Sequence, residues 1–295
     1  MDPKASKIIC DIKKLKIQSA HGIAHAGIEC LKIAISSSKA KDRKDFLAEI
    51  QDIAQKIKTA RPTEIELGSI INLVLFKISE NETESLDSLK EYALRVCDKQ
   101  IAENEVAMSR LIENGAKQIH NGDSILTHCH SRTVVGIFRE AKKQGKDFTV
   151  FVTETRPLKQ GLITAKDLLE SKIKIVYGVD SDMGFLMKKC TKVLVGCDAI
   201  LPDGSIVNKI GTLPMAIVAK AFGKPFLVAG LTTKLTHKVE IEERDPREVE
   251  DPRKLRGAKV INPAFDVTPG DYVDFIITEK GTVKPHDVFE MVREY

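Results

Sequence analysis

Apolar residues in the first part of the chain recur with a helical spacing. Between Asp42 and Thr59 they stand three and four residues apart, and Pro62 ends the pattern, as expected of a helix with one buried face. The same spacing predicts three more helices: 17–35, 63–78 and 85–114. The segment 17–35 is rich in alanine and glycine, so we expect it to approach another backbone or a ligand closely.

The pattern changes after residue 118. Short apolar, β-branched runs without strict alternation now alternate with helical segments, as is typical of strands buried on both faces of a parallel sheet. The predicted strands are 124–127, 148–153, 173–178, 192–196, 225–230 and 273–278, and the predicted helices between them are 133–144, 164–171, 182–189 and 213–222. The sequence therefore predicts an α/β protein, with an N-terminal helical domain (1–118) and a Rossmann-like, doubly wound, mostly parallel sheet domain (119–295) that carries the site.

Composition and charge exclude several classes of protein. Hydrophobic residues make up 42% of the chain and charged residues 30%, with a net charge of +4, the balance of a packed cytoplasmic protein. Acidic and basic residues are interleaved, so we expect no dedicated nucleic-acid face. The sequence shows no apolar stretch long enough for a bilayer and no signal-peptide core. We expect a cytoplasmic protein that contacts no membrane.

Sequence motifs give no sign of a cofactor. The six cysteines include no CxxC pair, which argues against a zinc site. No glycine fingerprint of the dinucleotide type follows a predicted strand, and no P-loop is present. We therefore expect neither a metal nor a nucleotide cofactor, and a pocket for a small anion fits the charge balance better.

Polar side chains of the kinds that carry out catalysis or bind anions follow the predicted strands directly. Ligands of doubly wound sheets bind outside the carboxyl ends of the strands. The segments at those ends are His-Cys-His-Ser (128–131), Glu-Thr-Arg (154–156), Asp-Ser (180–181) and Cys-Asp (197–198). A thiol, acids, an arginine and hydroxyls are thus predicted to converge on one edge of the sheet.

Cys129 has the strongest context among the cysteines. It lies just before a predicted helix that Ser131 would cap, and a thiol near a helix N-terminus should have a lowered pKa. Such a thiolate takes a proton from carbon or attacks a carbon centre. The alternative is an inert buried cysteine, which is the usual state of a free thiol.

Asp198 ends another predicted strand, and a polar run follows it. Asn208 and Lys209 offer donors, and Gly211 with Thr212, a plausible N-cap, opens a helix whose free N–H groups would suit an anion. This combination is typical of a phosphate or polyol site. The alternative is an aspartate that only caps the next turn.

Three other features have no single interpretation from the sequence alone. Arg156, followed by a proline, suits oriented anion recognition or a structural contact with a glutamate. Arg61 lies in a helix connection and indicates nothing by itself. The charged run 240–256 is either a solvated loop, or a lid or subunit contact.

Four motifs in order resemble a known superfamily. They are Leu-Thr-His-Cys-His-Ser (126–131), Thr-Glu-Thr-Arg-Pro (153–157) followed by Gln-Gly (160–161), Val-Gly-Cys-Asp (195–198) and Asn-Lys-Ile-Gly-Thr (208–212). The superfamily contains methylthioribose-1-phosphate isomerase, archaeal ribose-1,5-bisphosphate isomerase, and the alpha, beta and delta subunits of translation initiation factor 2B. The C-terminal segments 262–269 and 276–281 look like the isomerase branch, ribose-1,5-bisphosphate isomerase above all.

The resemblance implies an activity and a set of residues. The ribose-1,5-bisphosphate isomerase family converts ribose 1,5-bisphosphate into ribulose 1,5-bisphosphate in nucleotide salvage. By resemblance, Asp198 would donate the proton that opens the ring, and Cys129 would accept the proton from C2. The other implied contacts are Arg61 to a phosphate, Asn208 and Lys209 to substrate oxygens, and Ser131, Arg132 and Lys234 in the same pocket. A homo-oligomer, dimer or hexamer, is also implied.

The chain also departs from the isomerases. Where their first helix opens with an Arg-Gly-Ala-Gly phosphate loop, this sequence has Gln18, Ser19, Ala20 and His21, and glutamine does not supply the missing charge. The segment 179–185 looks more like the initiation-factor subunits. The alternative is therefore an initiation factor 2B-like regulatory subunit that senses a phosphate and binds initiation factor 2 alpha. Those subunits generally lack the catalytic Cys–Asp pair, which this chain retains.

Overall fold

The chain forms two compact units joined within a long helix. The computed structural model describes residues 1–14, 16–17, 19–83 and 85–293. The first unit comprises Met1–Ala107 and the second Met108–Tyr295. None of the described helices is long and apolar enough to cross a membrane.

The predicted helices and parallel strands are present, and several short elements are added to them. The described helices are α1 (Pro3–Lys13), α2 (Ala20–Ser37), α3 (Arg43–Ala60), α4 (Ile65–Ser79), α5 (Leu86–Lys117), α6 (Arg132–Lys143), α7 (Gln160–Glu170), α8 (Met183–Met187), α9 (Thr212–Ala221) and α10 (Glu290–Arg293). The described strands are β1 (Ser124–Thr127), β2 (Thr149–Thr153), β3 (Lys174–Gly178), β4 (Lys192–Gly196), β5 (Ala199–Ile200), β6 (Ile206–Lys209), β7 (Phe226–Ala229), β8 (Phe265–Thr268), β9 (Phe275–Thr278) and β10 (Gly281–Val283).

Helices of the first unit pack through the faces that the spacing predicts. The stripe of α3 is buried around Phe46 and Ile50, and Asp42 caps the helix by accepting a hydrogen bond from the Asp45 N–H. In α2, a Cβ on Gly27 would lie 2.5 Å from the Leu67 side chain of α4. The small residue therefore lets the two helices approach closely.

The second unit is built on a doubly wound sheet. Over the described residues its seven strands run in the order β10-β9-β7-β4-β1-β2-β3, and all neighbours are parallel except the pair β9–β10. The prediction of an N-terminal helical region followed by a Rossmann-like, mostly parallel sheet is therefore confirmed. The strand order reverses between β1 and β4, so the crevice for a ligand lies beyond the ends of these two strands.

A small antiparallel sheet lies beside the main one and was not predicted. It has the order β5-β6-β8, and its register pairs Asn208 with Asp266 and Lys209 with Phe265. Strands β5 and β6 follow directly on β4, and β6 leads into α9. This sheet therefore holds the Asn208–Lys209 segment.

Candidate functional site

Cys129 and Asp198 lie beyond the two strands between which the sheet order reverses. Cys129 follows β1, and Asp198 follows the neighbouring strand β4. Asp198 is close enough for its charge to raise the pKa of the Cys129 thiol. The fold thus brings together the thiol and the carboxylate that the sequence singled out.

The backbone at Cys129 has an uncommon conformation. Cys129 has φ 67° and Thr155, at the end of β2, has φ 62°, in the left-handed region that non-glycine residues rarely occupy. The Cys129 N–H donates to Thr155 Oγ1 at 2.8 Å. The backbone N–H groups of Thr155 and Arg156 donate to the Asp180 carboxylate at 2.8 and 2.7 Å. Such strain costs stability and is concentrated at functional sites.

The predicted lowering of the Cys129 pKa is wrong. Burial raises the pKa of this thiol to about 11, and the charges of Asp198 and Asp180 act in the same direction. The charge of Lys209 and the hydrogen bond from the His130 N–H oppose the rise without cancelling it. Ser131 does cap α6, accepting from the Val134 N–H at 3.3 Å, but desolvation exceeds the effect of the helix end.

Lys234 lies at the same strand end as Asp198. Its side chain is buried, and Nζ donates to the carbonyl oxygen of Cys197 at 2.7 Å. The Asp198 N–H donates to the carbonyl of Val207 in β6 at 2.8 Å. A cationic group is thus placed at the peptide unit that precedes Asp198, and the position of Asp198 is fixed by the small sheet.

The N-terminus of α9 is not free to bind an external anion, contrary to expectation. The Asp266 carboxylate of β8 accepts from the Gly211 N–H at 2.7 Å and from the Leu213 N–H at 3.2 Å. Gly211, with φ 105°, is the N-cap residue, and Thr212 is the first residue of the helix rather than its cap. Thr212 Oγ1 accepts from Asn208 Nδ2 at 2.9 Å instead. An internal carboxylate therefore occupies the helix end.

The remaining predicted residues have different environments. Lys209 Nζ lies 4.7 Å from the centre of the Phe265 ring and acts electrostatically on Cys129. Arg132 is exposed at the start of α6. Arg156 is exposed and its Nη2 donates to the carbonyl of Val249 at 3.0 Å. Arg61 belongs to the first unit, where its Nε lies 3.2 Å from a Glu64 oxygen.

The segment that departs from the isomerase phosphate loop is described only in part. Gln18 lies outside the described residues. Ser19, with φ 70°, caps α2 by accepting from the Gly22 N–H at 3.2 Å. His21 lies between two carboxylates, 3.6 Å from Glu66 and 3.0 Å from Glu105, and these carboxylates raise its pKa.

A pocket beside the site contains a residue to which the sequence gave no role of its own. It is lined by Pro157, Leu158, Gln160, Lys209, Ile210, Arg244, Glu248, Asn262, Pro263 and Ala264. Gln160 is one of these lining residues, and its Oε1 atom is buried without a hydrogen-bond partner among the described residues. Buried acceptors normally have a hydrogen-bond donor, so this atom is suited to accept a hydrogen bond from a hydroxyl group of a ligand. The Gln-Gly pair in the second motif was the available signal.

The charged run 240–256 is folded against the pocket. Arg244 forms two-pronged hydrogen bonds with Glu248, and Glu248 also accepts from Asn262 Nδ2 at 3.0 Å. The hydrogen bond from Arg156 to Val249 joins the run to the end of β2. The segment is therefore held by side-chain contacts at the pocket rather than being only a solvated loop.

Comparison with known proteins finds relatives in the superfamily that the four motifs resemble. The family model for the initiation factor 2 subunit family matches residues 16–285. The ribose 1,5-bisphosphate isomerase of Pyrococcus furiosus is 39% identical over 96% of this chain and 91% of its own. The resemblance that the four motifs indicate is confirmed.

Two crystal structures of Pyrococcus horikoshii proteins have the same fold. The translation initiation factor eIF-2B is 31% identical with a TM-score of 0.81, over 97% of this chain and 98% of that one. The 5-methylthioribose 1-phosphate isomerase is 28% identical with a TM-score of 0.85, over 98% and 87% of the two chains.

Proposed function

The chain is a member of the initiation factor 2 subunit family, and we propose that it converts ribose 1,5-bisphosphate into ribulose 1,5-bisphosphate, a step of nucleotide salvage. Its relatives make it an enzyme of the sugar-phosphate isomerase class. The observation that carries the proposal is the placement of Cys129 and Asp198 beyond adjacent strands where the sheet order reverses. The cytoplasm is its proposed location.

The two side chains suffice for the proton transfers of this isomerisation. A thiol with a pKa near 11 is protonated at neutral pH, so the proposed mechanism requires that its proton first be transferred, at a free-energy cost, to the Asp198 carboxylate. The resulting carboxylic acid protonates the ring oxygen as the bond from C1 to that oxygen breaks. The Cys129 thiolate removes the proton from C2, which forms the C1–C2 double bond. Because its pKa is high, this thiolate is a strong base once formed.

The second half of the reaction returns both groups to their starting state. The Cys129 thiol delivers its proton to C1, and the C2 hydroxyl loses its proton to Asp198 as the ketone forms. The thiolate then recovers a proton from Asp198 before the next turnover. Atoms and charges balance without a metal or an external base.

Polar groups around this pair are the proposed substrate contacts. Lys209 and Gln160 line the pocket, and Asn208, Ser131 and Lys234 belong to the strand ends beside it. Arg132 and Arg156 are proposed to meet phosphate oxygens.

The test is turnover by the purified full chain. Ribulose 1,5-bisphosphate would be followed by coupled carboxylation after ribose 1,5-bisphosphate is added, with and without nucleoside monophosphates as activators. Turnover supports the proposal. Complete absence of turnover, together with micromolar binding of initiation factor 2 alpha, would overturn it in favour of the regulatory subunit.

Replacing Gln160 by leucine is expected to weaken substrate binding without weakening the fold. The KM should rise about 10-fold, because one hydrogen bond to the sugar is lost. The melting temperature should stay unchanged or rise, since leucine removes a buried acceptor that has no partner in the described residues. Steady-state kinetics and thermal melts measure both quantities.

The matched control for Gln160 is Thr268→Val. Thr268 Oγ1 is also buried without a hydrogen-bond partner among the described residues, and Thr268 does not line the pocket. Its KM should equal that of the unmodified protein. An unchanged KM in Gln160→Leu would show that Gln160 does not contact the substrate.

An exposed apolar face in the second unit supports self-association. Strand β3 forms one edge of the sheet. The exposed apolar residues on β3, on the neighbouring helices α7 and α8 and just after β3 are together called the β3 face; they are Leu162, Ile163, Val176, Tyr177, Val179 and Phe185. Open edge strands with apolar side chains are normally covered. A second copy of the chain is the proposed partner, because a two-fold axis pairs an edge strand with its own equivalent.

Replacing Phe185 by aspartate is expected to separate the copies. The charge would be buried without a partner in the proposed interface, so light scattering after size exclusion should show a shift toward the monomer mass of 32.7 kDa. Phe76→Asp is the control, because both phenylalanines are 61% exposed and Phe76 lies outside the β3 face. Equal masses for both variants would contradict this interface.

A further inference from the structure

His128 is a buried residue to which the proposed mechanism assigns no step. It lies between the end of β1 and Cys129, and only 2% of its surface is exposed. Its Nε2 atom lies 2.8 Å from the carbonyl oxygen of Ile210, and its Nδ1 atom 2.6 Å from Thr153 Oγ1. The ring therefore bridges three segments: the end of β1, the end of β2 and the turn between β6 and α9.

The partners of the ring define its hydrogens. A carbonyl oxygen only accepts, so Nε2 carries a hydrogen that it donates to Ile210. Burial and the charge of Lys209 lower the pKa of His128, although Asp180, 3.9 Å away, and the hydrogen bond to Ile210 oppose this. The ring is thus neutral, and Nδ1 accepts from the Thr153 hydroxyl.

Two further hydrogen bonds hold the loop that carries Cys129 against the end of β2. The Cys129 N–H donates to Thr155 Oγ1 at 2.8 Å, and the Thr155 hydroxyl donates to the carbonyl of Thr153 at 3.3 Å. The Thr155 hydroxyl also lies 3.4 Å from His128 Nδ1, so this one residue contacts both the backbone of Cys129 and the ring of His128. Ile210 directly follows Lys209, so the His128 ring and these contacts connect the backbone of the thiol residue with the Asn208–Lys209 turn.

We infer that His128 is a positioning residue, which fixes Cys129 relative to the Asn208–Lys209 turn through the hydrogen bond from Nε2 to Ile210. This inference rests on the proposed function for its kinetic consequence. Packing agrees with it, because a Cβ on Gly211 would lie 2.9 Å from Nε2. The positive φ of Gly211 and its lack of a side chain thus make room for the ring at this turn.

Two conservative variants separate positioning from general packing. In His128→Gln, the side-chain amide nitrogen reaches the place of Nε2 and still donates to Ile210. In His128→Asn, the amide oxygen takes the place of Nδ1 and still accepts from the Thr153 hydroxyl, but the side chain is too short to reach Ile210, which loses its donor. We expect kcat/KM of His128→Asn to fall about 100-fold, as misplacement of reacting groups by about 1 Å does, with kcat lowered and KM raised. His128→Gln should stay within about 10-fold of the unmodified protein.

A second measurement needs no substrate. The alkylation rate of Cys129 by iodoacetamide is followed by mass spectrometry of peptides, with the partly exposed Cys10 as an internal reference. We expect Cys129 to react faster in His128→Asn than in His128→Gln, because the loop that carries it is released, while Cys10 stays unchanged. This difference would support His128 as a positioning residue even if the unmodified protein failed to turn over the sugar phosphate.

Two outcomes would overturn the inference. Identical behaviour of both variants and the unmodified protein would show that the bond to Ile210 does not position Cys129. Equal losses in both variants, with equal decreases of melting temperature, would show that His128 only fills space.

Discussion

Turnover of ribose 1,5-bisphosphate is expected to fall about 1,000-fold or more when Cys129 is replaced by serine or Asp198 by asparagine, because each group carries a proton in the proposed chemistry. Serine keeps the shape of cysteine, but a hydroxyl ionises far less readily than a thiol. Asparagine keeps the shape of aspartate but neither accepts nor releases a proton at this site. Both variants should fold, since the Asp198 N–H that donates to Val207 is retained.

The comparison with the double variant makes this test sharper. In the proposed mechanism the thiol proton passes to Asp198, so the two groups act as one unit, and the double variant should be little slower than either single variant. Single-turnover rates with saturating substrate measure this directly. Cys10→Ser, in the first unit, is the matched thiol control and should retain full activity. More than a tenth of the normal rate in Asp198→Asn would remove this residue from the mechanism.

The second large effect is expected in the fold itself, at Gly161. A Cβ at this position would overlap the carbonyl oxygen of Thr153, a backbone atom at the end of β2. Gly161 lies in the first turn of α7, and its N–H donates to the carbonyl of Glu154 at 3.1 Å. Alanine must therefore push α7 away from the strand end, and we expect the free energy of unfolding to fall by more than about 3 kcal/mol.

Urea unfolding of Gly161→Ala and of its control measures this effect. The control is Gly184→Ala in α8, where a Cβ would meet no atom within 4 Å and where alanine is expected to be neutral or slightly stabilising. A chain that fails to accumulate as folded protein satisfies the prediction, provided that Gly184→Ala is produced normally. Equal stability of the two variants would contradict the close approach between α7 and β2.

Sequence spacing alone determined the main architecture. Helical stripes such as that around Phe46 and Ile50, and apolar runs such as 192–196, depend on local periodicity and on burial of one or both faces. The positions of Cys129 and Asp198 at strand ends follow from the same pattern, because residues beyond the carboxyl ends of parallel strands share one edge. The start of α1 also has a local signal, with Asp2 as the cap and Pro3 in the first turn.

Only the tertiary structure decided how these groups behave. Asp266 is 55 residues from Gly211 in sequence, yet its carboxylate occupies the start of α9, a contact that exists only because β8 pairs with β6. The Cys129 pKa depends on desolvation and on charges from separate strand ends. The position of the thiol beside a helix N-terminus predicts neither effect. His128 likewise contacts residues distant in sequence, Thr153 and Ile210, and Gln160 lines a pocket together with Asn262 and Ala264. Local spacing selects elements, whereas the free energy of each polar group depends on which atoms the completed fold places around it.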